Sequence, residues 1–379
     1  MKVSCLQEQL QRGLSRVSRA VATRSTLPVL SNVLLSTDNG RLRIAATDMA
    51  VGVTTWIDAS IEEEGALTVD ARLLNEFVNT LPAGEVSLVS DSVRMSITVQ
   101  SGRDKATING LDAEDFPVLP SVSGDGFTVD VNGQLMREAI TMVEFSAATD
   151  ESRPVLAGVL TRFDGNTMTL ASADGFRMAV IDQQLETPVE GRHDFIVPAR
   201  AYREFGRIIG DYDGTIRLSL TANRSQLVAR VGDTEWVSSL IDGTFPDVKQ
   251  IVPKEVGTRV DVGRESLLQA VRRSSFFARE NNDVVYLTIQ PGADELTPGN
   301  VEISATAAER GNNQSFVDAS VTGSEMRVAF NSHYLTDVLG VLRSGQVMIG
   351  LNGPNAAGIV RSGDNQNCTH VIMPMVIGG

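Results

Sequence analysis

The chain has 379 residues and a formal net charge of −14, and its 42% hydrophobic and 21% charged residues are typical of an ordinary globular protein. Its two cysteines, Cys5 and Cys368, are too few for a disulfide framework or a cysteine metal site, so we expect two buried thiols. No apolar run reaches the length of about 18 residues that a membrane helix needs, and the N-terminus has no apolar signal core. These features predict a cytoplasmic protein with no membrane partner.

The chain contains a threefold internal repeat. Residues 27–50 are echoed by residues 153–176 and, more loosely, by residues 284–309. The best-aligned positions are Ile44, Leu170 and Ile303, at offsets of 126 and 133 residues. A second set of landmarks begins at Val69, Val197 and Phe330, at offsets of 128 and 133 residues. Two landmarks with nearly the same spacing predict three domains of about 125 residues, each large enough to bury its own core.

We place the three domains at residues 1–121, 127–252 and 258–379. Proline- and glycine-containing segments mark the boundaries, at residues 116–126 and 245–257. Neither segment is long enough to be a free tether. Adjacent repeats are therefore expected to lie side by side.

Each repeat opens with a helical pattern, at residues 6–22, 134–146 and 264–278. In the first helix, at about 100° per residue, apolar side chains fall on one side and arginines on the other. The apolar side contains Leu6, Leu10, Leu14, Val17 and Val21, and the basic side contains Arg12, Arg16 and Arg19. The pattern predicts a helix with an apolar underside and a basic outer face.

Alternating strand patterns follow each first helix. The turn signals Asp38-Asn39-Gly40 and Asp164-Gly165-Asn166 supply the positive φ of tight turns. A second helix follows near residues 72–80, 200–209 and 333–343. In its middle copy the apolar face holds Ala201, Tyr202, Phe205, Ile208 and Ile209, and the basic face Arg200, Arg203 and Arg207. Further strands complete each repeat, which predicts an α+β fold.

The predicted helices are the basic part of an acidic chain. They carry twelve arginines and seven acidic residues, a net charge of +5, which leaves −19 for the rest of the chain. Basic helix faces suit sequence-independent contact with phosphates, while acid elsewhere repels stray DNA. Alternatively, the arginines are simply solvent-facing helix residues. The pattern is uneven, because the second helix is neutral in the first and third repeats.

No motif for nucleotide-driven or zinc chemistry is present. GxxxxGK[ST], HExxH and GxSxG are absent, and the three histidines lie far apart in the sequence. We therefore predict neither a metal nor another cofactor. Asp174 beside Gly175 suggests a catalytic acid, but Asp-Gly at a strand end is typical of a turn. The first repeat keeps this acid as Asp48, and a repeated acid fits a structural turn better than a unique catalytic site.

Segments in all three repeats resemble the bacterial DNA polymerase III beta subunit, the sliding clamp family. The similar segments are RSTLPVL (24–30), ATDMAV (46–51), SGRDKATINGLDAEDFP (101–117), SRPVLAGV (152–159), SADGFRMAV (172–180), VPARAYREF (197–205), LIDGTFPDVKQIVP (240–253) and HVIMPM (370–375). They are collinear with the family along the whole chain. The resemblance implies three repeated clamp-fold domains per chain and two chains that close head to tail. In that ring the sheets lie outside and twelve helices line a hole for duplex DNA.

The resemblance implies a processivity factor with no enzymatic activity. The ring would tether the DNA polymerase III alpha subunit and other clients that carry a clamp-binding motif, which raises their local concentration on DNA. A separate ATP-driven clamp loader would open it, because the chain has no phosphate loop of its own. A closed ring of sheets also leaves no open edge for aggregation.

In the family, a hydrophobic pocket between the second and third domains binds a peptide from each client. Its predicted wall is Leu156, Gly175, Arg177, Met178, Pro246, Ile251, Val371, Met373, Pro374 and Met375. A methionine-rich wall suits several different peptides. The same residues also fit ordinary core packing. Phe176 stands where a histidine is frequent, and the tail ends in VIGG without the usual basic residue, so the client preference stays open.

The resemblance also implies contacts with DNA and with a second copy of the chain. The predicted DNA-binding residues are Arg12, Arg16, Arg19, Arg24, Arg153, Arg200, Arg203 and Arg207. At the predicted dimer interface, Phe276 and Phe277 of the third domain pack against Ala106 and Ile108 of the first domain in the other chain. This prediction rests on a pair of adjacent aromatic residues at the end of a helix, in the place where the interface of the family lies.

A second interpretation belongs to a different class of protein. In this interpretation the protein is a cytoplasmic β-rich enzyme, and a pocket at Asp174, Arg177 and Met375 binds a small anionic substrate. Oligomer mass and retention on circular DNA distinguish the two interpretations.

Overall fold

The computed structural model describes residues 1–122, 126–150, 152–293 and 297–375. The VIGG tail, at the end of the predicted third domain, lies outside the described residues. The chain divides into two compact units. Unit 1 consists of residues 1–137 and 204–240, and unit 2 of residues 138–203 and the chain from residue 241 onward.

Seven α-helices lie in the described residues. They are α1 (Gln7–Val17), α2 (Ala71–Thr80), α3 (Gly133–Val143), α4 (Ala199–Ile209), α5 (Val248–Ile251), α6 (Arg264–Ala278) and α7 (Ser332–Val341). The six predicted helices are confirmed. The short helix α5, in the segment that follows the second repeat, was not predicted.

The strands of unit 1 form one antiparallel sheet. They are β1 (Lys2–Leu6), β2 (Asn32–Asp38), β3 (Arg41–Thr47), β4 (Val51–Asp58), β5 (Ser60–Glu63), β6 (Ala66–Asp70), β7 (Glu85–Asp91), β8 (Ser96–Ser101), β9 (Asp104–Leu111), β10 (Thr128–Asn132), β13 (Thr215–Leu220), β14 (Gln226–Val231) and β15 (Thr234–Ser239). Their order is β10-β13-β14-β15-β4-β3-β2-β6-β9-β8-β7-β1-β5. β4 of the first repeat pairs with β15 of the second, so the sheet crosses the repeat boundary without a break.

Unit 2 contains the second sheet. Its strands are β11 (Gly158–Ala173), β12 (Arg177–Pro198), β16 (Thr258–Gly263), β17 (Val284–Gln290), β18 (Gly299–Ala307), β19 (Gly311–Thr322), β20 (Met326–Asn331), β21 (Gln346–Leu351), β22 (Gly358–Ser362) and β23 (Cys368–Ile372). Their order is β11-β12-β23-β22-β21-β16-β19-β18-β17-β20. β12 of the second repeat pairs with β23 of the third. The predicted side-by-side packing of adjacent repeats is thus confirmed within each unit.

The internal repeat is visible in the core. Ile44 in β3, Leu170 in β11 and Ile303 in β18 are each completely buried. The second set of landmarks runs from the end of a strand into α2, α4 and α7. Because equivalent residues hold equivalent positions, each repeat uses the same apolar pattern for the same packing. The strands of the middle repeat are divided between the two sheets.

The first helix is shorter than the predicted span of residues 6–22. Leu6 belongs to β1, which pairs with β7, and its side chain is 55% exposed instead of lying on the buried face. The α-helix ends at Val17 and is followed by one turn of 3-10 helix at Ser18–Ala20, so Val21 lies beyond it. Leu10, Leu14 and Val17 are buried as predicted. Strand pairing therefore overrides the helical period at the N-terminal end.

The predicted separation of faces on α4 is confirmed, except that Ile208 of the apolar face is only half-buried. Ala201, Tyr202, Phe205 and Ile209 are buried, whereas Arg200, Arg203 and Arg207 are exposed. Phe205 stacks on Trp236 with ring centroids 4.4 Å apart. The buried Tyr202 hydroxyl lies 2.7 Å from Thr161 Oγ1, so this polar group keeps a hydrogen bond inside the core.

Candidate functional site

An apolar cluster in unit 2 contains part of the predicted peptide pocket. Leu156, Met178 and Val371 lie in this cluster together with Phe245 and Val248. Met178 pairs directly with Val371 across β12 and β23. Leu156 lies in the short 3-10 helix at Pro154–Ala157, which precedes β11. The second and third repeats therefore meet in one apolar cluster.

The other predicted wall residues lie around this cluster with different degrees of exposure. Ile251 and Met373 are 45% and 43% exposed, and Pro246 is also exposed. Pro374 is buried, and Met375 is half-buried with its backbone N–H donating to the Ala329 carbonyl at 2.8 Å. The exposed residues leave apolar surface for a ligand, whereas Pro374 serves packing.

The turn between β11 and β12 is held by Asp174. Its Oδ1 accepts hydrogen bonds from the backbone N–H groups of Phe176 and Arg177 at 2.8 and 2.9 Å. Gly175 has a φ of +97°, and a Cβ there would lie 2.9 Å from Arg153 Nη1. In the first repeat, Asp48 Oδ1 accepts equivalent bonds from Ala50 and Val51. The repeated aspartate is therefore a turn residue, as predicted.

Arg177 joins the second repeat to the third. Its Nε donates to Asp174 at 3.0 Å, its Nη1 to Asp337 at 2.6 Å, and its Nη2 to the Phe145 carbonyl at 2.7 Å. The guanidinium also lies 4.5 Å from the ring centroid of Tyr334 and 5.5 Å from that of Phe145. All three nitrogen atoms thus donate to oxygen atoms of the same unit, and the side chain is only 12% exposed.

This geometry does not favour a small-anion site at Arg177. An anion would have to displace two carboxylates from a guanidinium that is already nearly buried and hydrogen-bonded. Side chains also alternate along β12, so Arg177 and Met178 point to opposite faces of the sheet. Arg177 faces α7 and Phe145, while Met178 faces the apolar cluster. Arg177 therefore lies on the face of the sheet opposite the apolar cluster.

A buried histidine and thiol lie on the same strand. His370 stacks on Phe145 with ring centroids 5.8 Å apart, and its Nε2 lies 3.4 Å from Cys368 Sγ. Burial, together with the nearby positive charge of Arg177, lowers the pKa of His370 to about 4. Burial raises the pKa of Cys368 to about 12, and that of Cys5 also to about 12. A neutral histidine beside a protonated thiol does not form a nucleophilic pair.

Four of the eight predicted DNA-binding arginines form ion pairs within their own unit. Arg12 pairs with Glu8 at 3.3 Å, and Arg203 with Glu144 at 2.7 Å. Arg19 and Arg207 both pair with the same carboxylate, that of Glu204, at 3.3 and 2.6 Å. Arg16 donates to the Thr234 hydroxyl at 3.3 Å. Internal carboxylates therefore offset part of the positive charge that the sequence count assigned to the helices.

The other predicted DNA-binding residues lie outside these pairs. Arg24 follows the first helix in an exposed loop, and Arg153 is exposed beside Gly175. Arg200 is exposed at the start of α4.

The predicted interface residues differ in burial. Phe276 is 62% exposed and Phe277 is half-buried at the end of α6. Ala106 is half-buried on β9, but Ile108 is only 4% exposed and belongs to the core of unit 1. Phe316 on β19 is 61% exposed and was not predicted. The alternation of β19 could have indicated it, since Phe316 is an aromatic residue at an outward position.

The strands β9 and β19 are each paired on one side over most of their length. β9 pairs with β8 from Asp104 to Asn109 but with β6 only at Gly110 and Leu111. β19 pairs with β18 over residues 311–319 and with β16 only from residue 319 onward. Within the described residues, each strand therefore leaves a stretch of backbone open to another strand.

No group of three His, Cys, Asp or Glu side chains in the described residues is placed to hold a metal ion. None of the described helices is long and apolar enough to cross a membrane.

Sequence profiles of one family match the chain from end to end. The profile for the DNA polymerase III beta subunit, N-terminal domain, matches residues 1–120. The central-domain profile matches residues 130–247, and the C-terminal-domain profile matches residues 249–376. Three domains of this fold therefore occur in family order.

Relatives and solved structures agree with these profiles. A beta sliding clamp of Synechocystis sp. is 34% identical over 397 residues, with 99% of each chain covered, and one of Pseudomonas putida is 30% identical over 378 residues, with 99% of this chain and 100% of the relative covered. The structure of the Pseudomonas aeruginosa sliding clamp bound to griselimycin has a TM-score of 0.91 at 29% identity, with 100% of both chains covered. The Bacillus subtilis DNA polymerase sliding clamp has a TM-score of 0.93 at 24% identity over 100% of both chains, which shows the shared fold. The chain therefore belongs to the bacterial DNA polymerase III beta subunit family, the DNA sliding clamps.

Proposed function

We propose how this DNA sliding clamp works: two copies close head to tail into a ring that encircles duplex DNA and tethers a replicative polymerase. In that ring the sheets lie outside and the helices line the hole. The three domains are residues 1–121, 127–252 and 258–379. The family is one of processivity factors, and we propose that this chain has no catalytic activity and needs no cofactor.

The observation that carries this proposal is the way the repeats join. β4 pairs with β15 across the first repeat boundary, and β12 pairs with β23 across the second. The open stretches of β9 and β19 belong to the first and third repeats, and among the described strands these two pair only with strands of their own repeat. Pairing β9 of one copy with β19 of the other would repeat the same type of junction and remove two open edges.

Side chains near these strands supply the apolar part of the proposed interface. Phe276 and Phe277 of one copy would pack near Ala106 of the other. Ile108, already buried in its own unit, would support β9 from beneath. Burying an exposed phenylalanine contributes about 1.5–3 kcal/mol.

The pocket in unit 2 is the proposed site for clients. Met178 and Val371 form its floor, and the exposed Ile251, Pro246 and Met373 form its rim. A flexible methionine at the rim adapts to different apolar side chains. The proposed clients are the DNA polymerase III alpha subunit, a clamp loader that opens the ring, and other proteins with a clamp-binding motif. All of them would meet the ring at the DNA, in the cytoplasm.

Topology, more than affinity, would hold the ring on DNA. The internal ion pairs of Arg19, Arg203 and Arg207 reduce the charge available to phosphates. Direct binding to DNA should therefore be weak. The logarithm of its binding constant should fall linearly with the logarithm of salt concentration. A closed ring does not depend on that contact.

The test compares retention on two forms of one DNA molecule. The ring is loaded on a nicked circle, and half of the sample is linearised at the same salt concentration. Retention on the circle together with loss from the linear form is expected. Equal loss from both would show that electrostatic contact holds the protein, and the ring would be refuted.

A further inference from the structure

A cleft lined by three arginines lies between α1 and α4 in unit 1. Its volume is about 670 Å³, and its lining includes Arg16, Arg19, Arg207, Tyr212 and Thr234. We call it the α1–α4 cleft. The arginines come from two different repeats, so folding brings together charges that are about 190 residues apart in the sequence.

Glu204 acts as the internal counterion of this cleft. Its carboxylate accepts from Arg19 Nη1 at 3.3 Å and from Arg207 Nη1 at 2.6 Å. The Glu204 side chain is 19% exposed, whereas those of Arg19 and Arg207 are 49% and 51% exposed. A guanidinium has five N–H donors, so one bond to Glu204 leaves capacity for a second anion. Ion pairs at this exposure contribute little, so an exchange of partners is nearly balanced.

Unit 2 contains a cleft at the equivalent place but with different chemistry. Its volume is about 440 Å³, and its charged lining consists of Glu138, Arg343 and Asp364. At the repeat offset of 126 residues, Met142 stands where α1 has Arg16. The repeated packing therefore creates both clefts, while only the one in unit 1 combines three arginines. This contrast points to an anion as its ligand.

We propose that the α1–α4 cleft binds one backbone phosphate of DNA, and that Glu204 is the carboxylate which this phosphate displaces. The proposal rests on the proposed function, because DNA inside a ring presents phosphates to the helices. A phosphate suits the site because it accepts charge-assisted hydrogen bonds from several guanidinium groups at once. Since each new bond replaces an existing ion pair, the net gain is small and the protein can move to the next phosphate.

Glu204 could instead serve only as a structural tie between repeats. Asp337, at the equivalent position 133 residues later, binds Arg177 in such a tie. The two sites differ in access, because the Arg177 side chain is 12% exposed and the two arginines on Glu204 are half exposed. A phosphate of DNA can reach an arginine only where the guanidinium group is exposed to solvent.

The decisive variant is Glu204→Gln, which keeps the shape of the side chain and removes its charge. The probe is a linear duplex of about 20 base pairs, measured by fluorescence anisotropy at several salt concentrations. We expect binding about threefold to tenfold tighter at low salt and a salt slope steeper by about 1, because the freed arginines fully neutralise one further phosphate. The matched control is Asp130→Asn on β10, whose ion-pair partner Arg217 lies on the neighbouring strand β13, outside the cleft and outside the predicted DNA-binding residues, and it should change binding by less than twofold.

A second variant guards against an indirect effect of altered packing. In Glu204→Gln combined with Arg19→Gln and Arg207→Gln, the gain should disappear while circular dichroism shows the same helix content. Unchanged binding in Glu204→Gln, or a gain equal to that of Asp130→Asn, would overturn the proposal. Because the probe is linear, the result is independent of ring closure. Loss of topological retention on circles would refute the ring and leave the cleft to be judged by this measurement.

Discussion

Lowering the pH should weaken the fold through His370, which lies on β23, the strand that contributes Val371 to the apolar cluster of unit 2. The ring of His370 is completely buried, and its Nδ1 has no hydrogen-bond partner among the described residues. Burial lowers its pKa to about 4, from an ordinary value of about 6.5. Protonation inside the core would place a charge beside Arg177 without a carboxylate partner of its own.

The direction of the stability change with pH follows from the lowered pKa of His370. The unfolded chain takes up the proton at about pH 6.5, whereas the folded chain resists it until about pH 4. The free energy of unfolding therefore decreases as the pH falls from about 6.5 to about 4. A folded-state pKa that lies about 2.5 below the unfolded value corresponds to about 3 kcal/mol in the free energy of unfolding. Roughly 2 kcal/mol of this is lost by about pH 5.

The assay compares the wild-type chain with His370→Gln in urea unfolding at about pH 7 and pH 5, at one protein concentration. Glutamine has nearly the same volume and no proton to gain, so carboxylate effects cancel in the difference between the two proteins. The wild type should lose about 2 kcal/mol more than the variant over this range. The half-buried His193, changed to glutamine, is the matched control and should behave like the wild type.

Direct titration of His370 by NMR provides the refutation. A folded-state pKa near 6.5 would show that burial does not penalise its charge. Equal losses of stability in the wild type and in His370→Gln would lead to the same conclusion. Either result would refute the reasoning about this strand.

Three further predictions concern the ring, the pocket and DNA. Changing Phe276 and Phe277 to alanine should cost roughly 3 kcal/mol or more per buried ring and give monomers in sedimentation at nanomolar concentration; an intact dimer would contradict the interface. Deleting residues 373–379 should abolish binding of a polymerase tail peptide in calorimetry and leave the dimer intact, whereas loss of both would mean that the segment is structural. Changing Arg203 and Arg207 to glutamate should weaken loading and the salt-sensitive contact more than it shortens retention on circular DNA. Retention reduced as much as loading would argue against topological holding.

Much of the fold could be predicted because the same sequence pattern occurs three times in the chain. The equivalent positions of Ile44, Leu170 and Ile303 are buried in strands, as the repeat required. The faces of α4 also follow directly from periodicity, since a helix that covers a sheet needs one apolar side. The first helix was predicted too long. Helical periodicity contains no information about strand pairing, and Leu6 belongs to β1, which pairs with β7.

The apolar cluster of unit 2 was predicted only in part. Leu156, Met178 and Val371 were named through a resemblance, and the structure brings them into one cluster. No local pattern indicates that Arg177 lies behind the sheet, because its partners Asp337 and Phe145 are distant in the sequence. Strand alternation decides which of two neighbouring side chains faces the pocket, and it acts only once the sheet has formed.

The sequence by itself determined the repeat, the family and the excess of arginine on the helices, because each of these is a property of residue order and composition. Tertiary structure decided how much of that charge is offset. Glu204 meets Arg19 only because the second repeat packs beside the first, and a count along the chain cannot detect an ion pair between residues 185 positions apart. Such long-range partners depend on the packed fold, since ion pairing needs contact distances of a few ångströms.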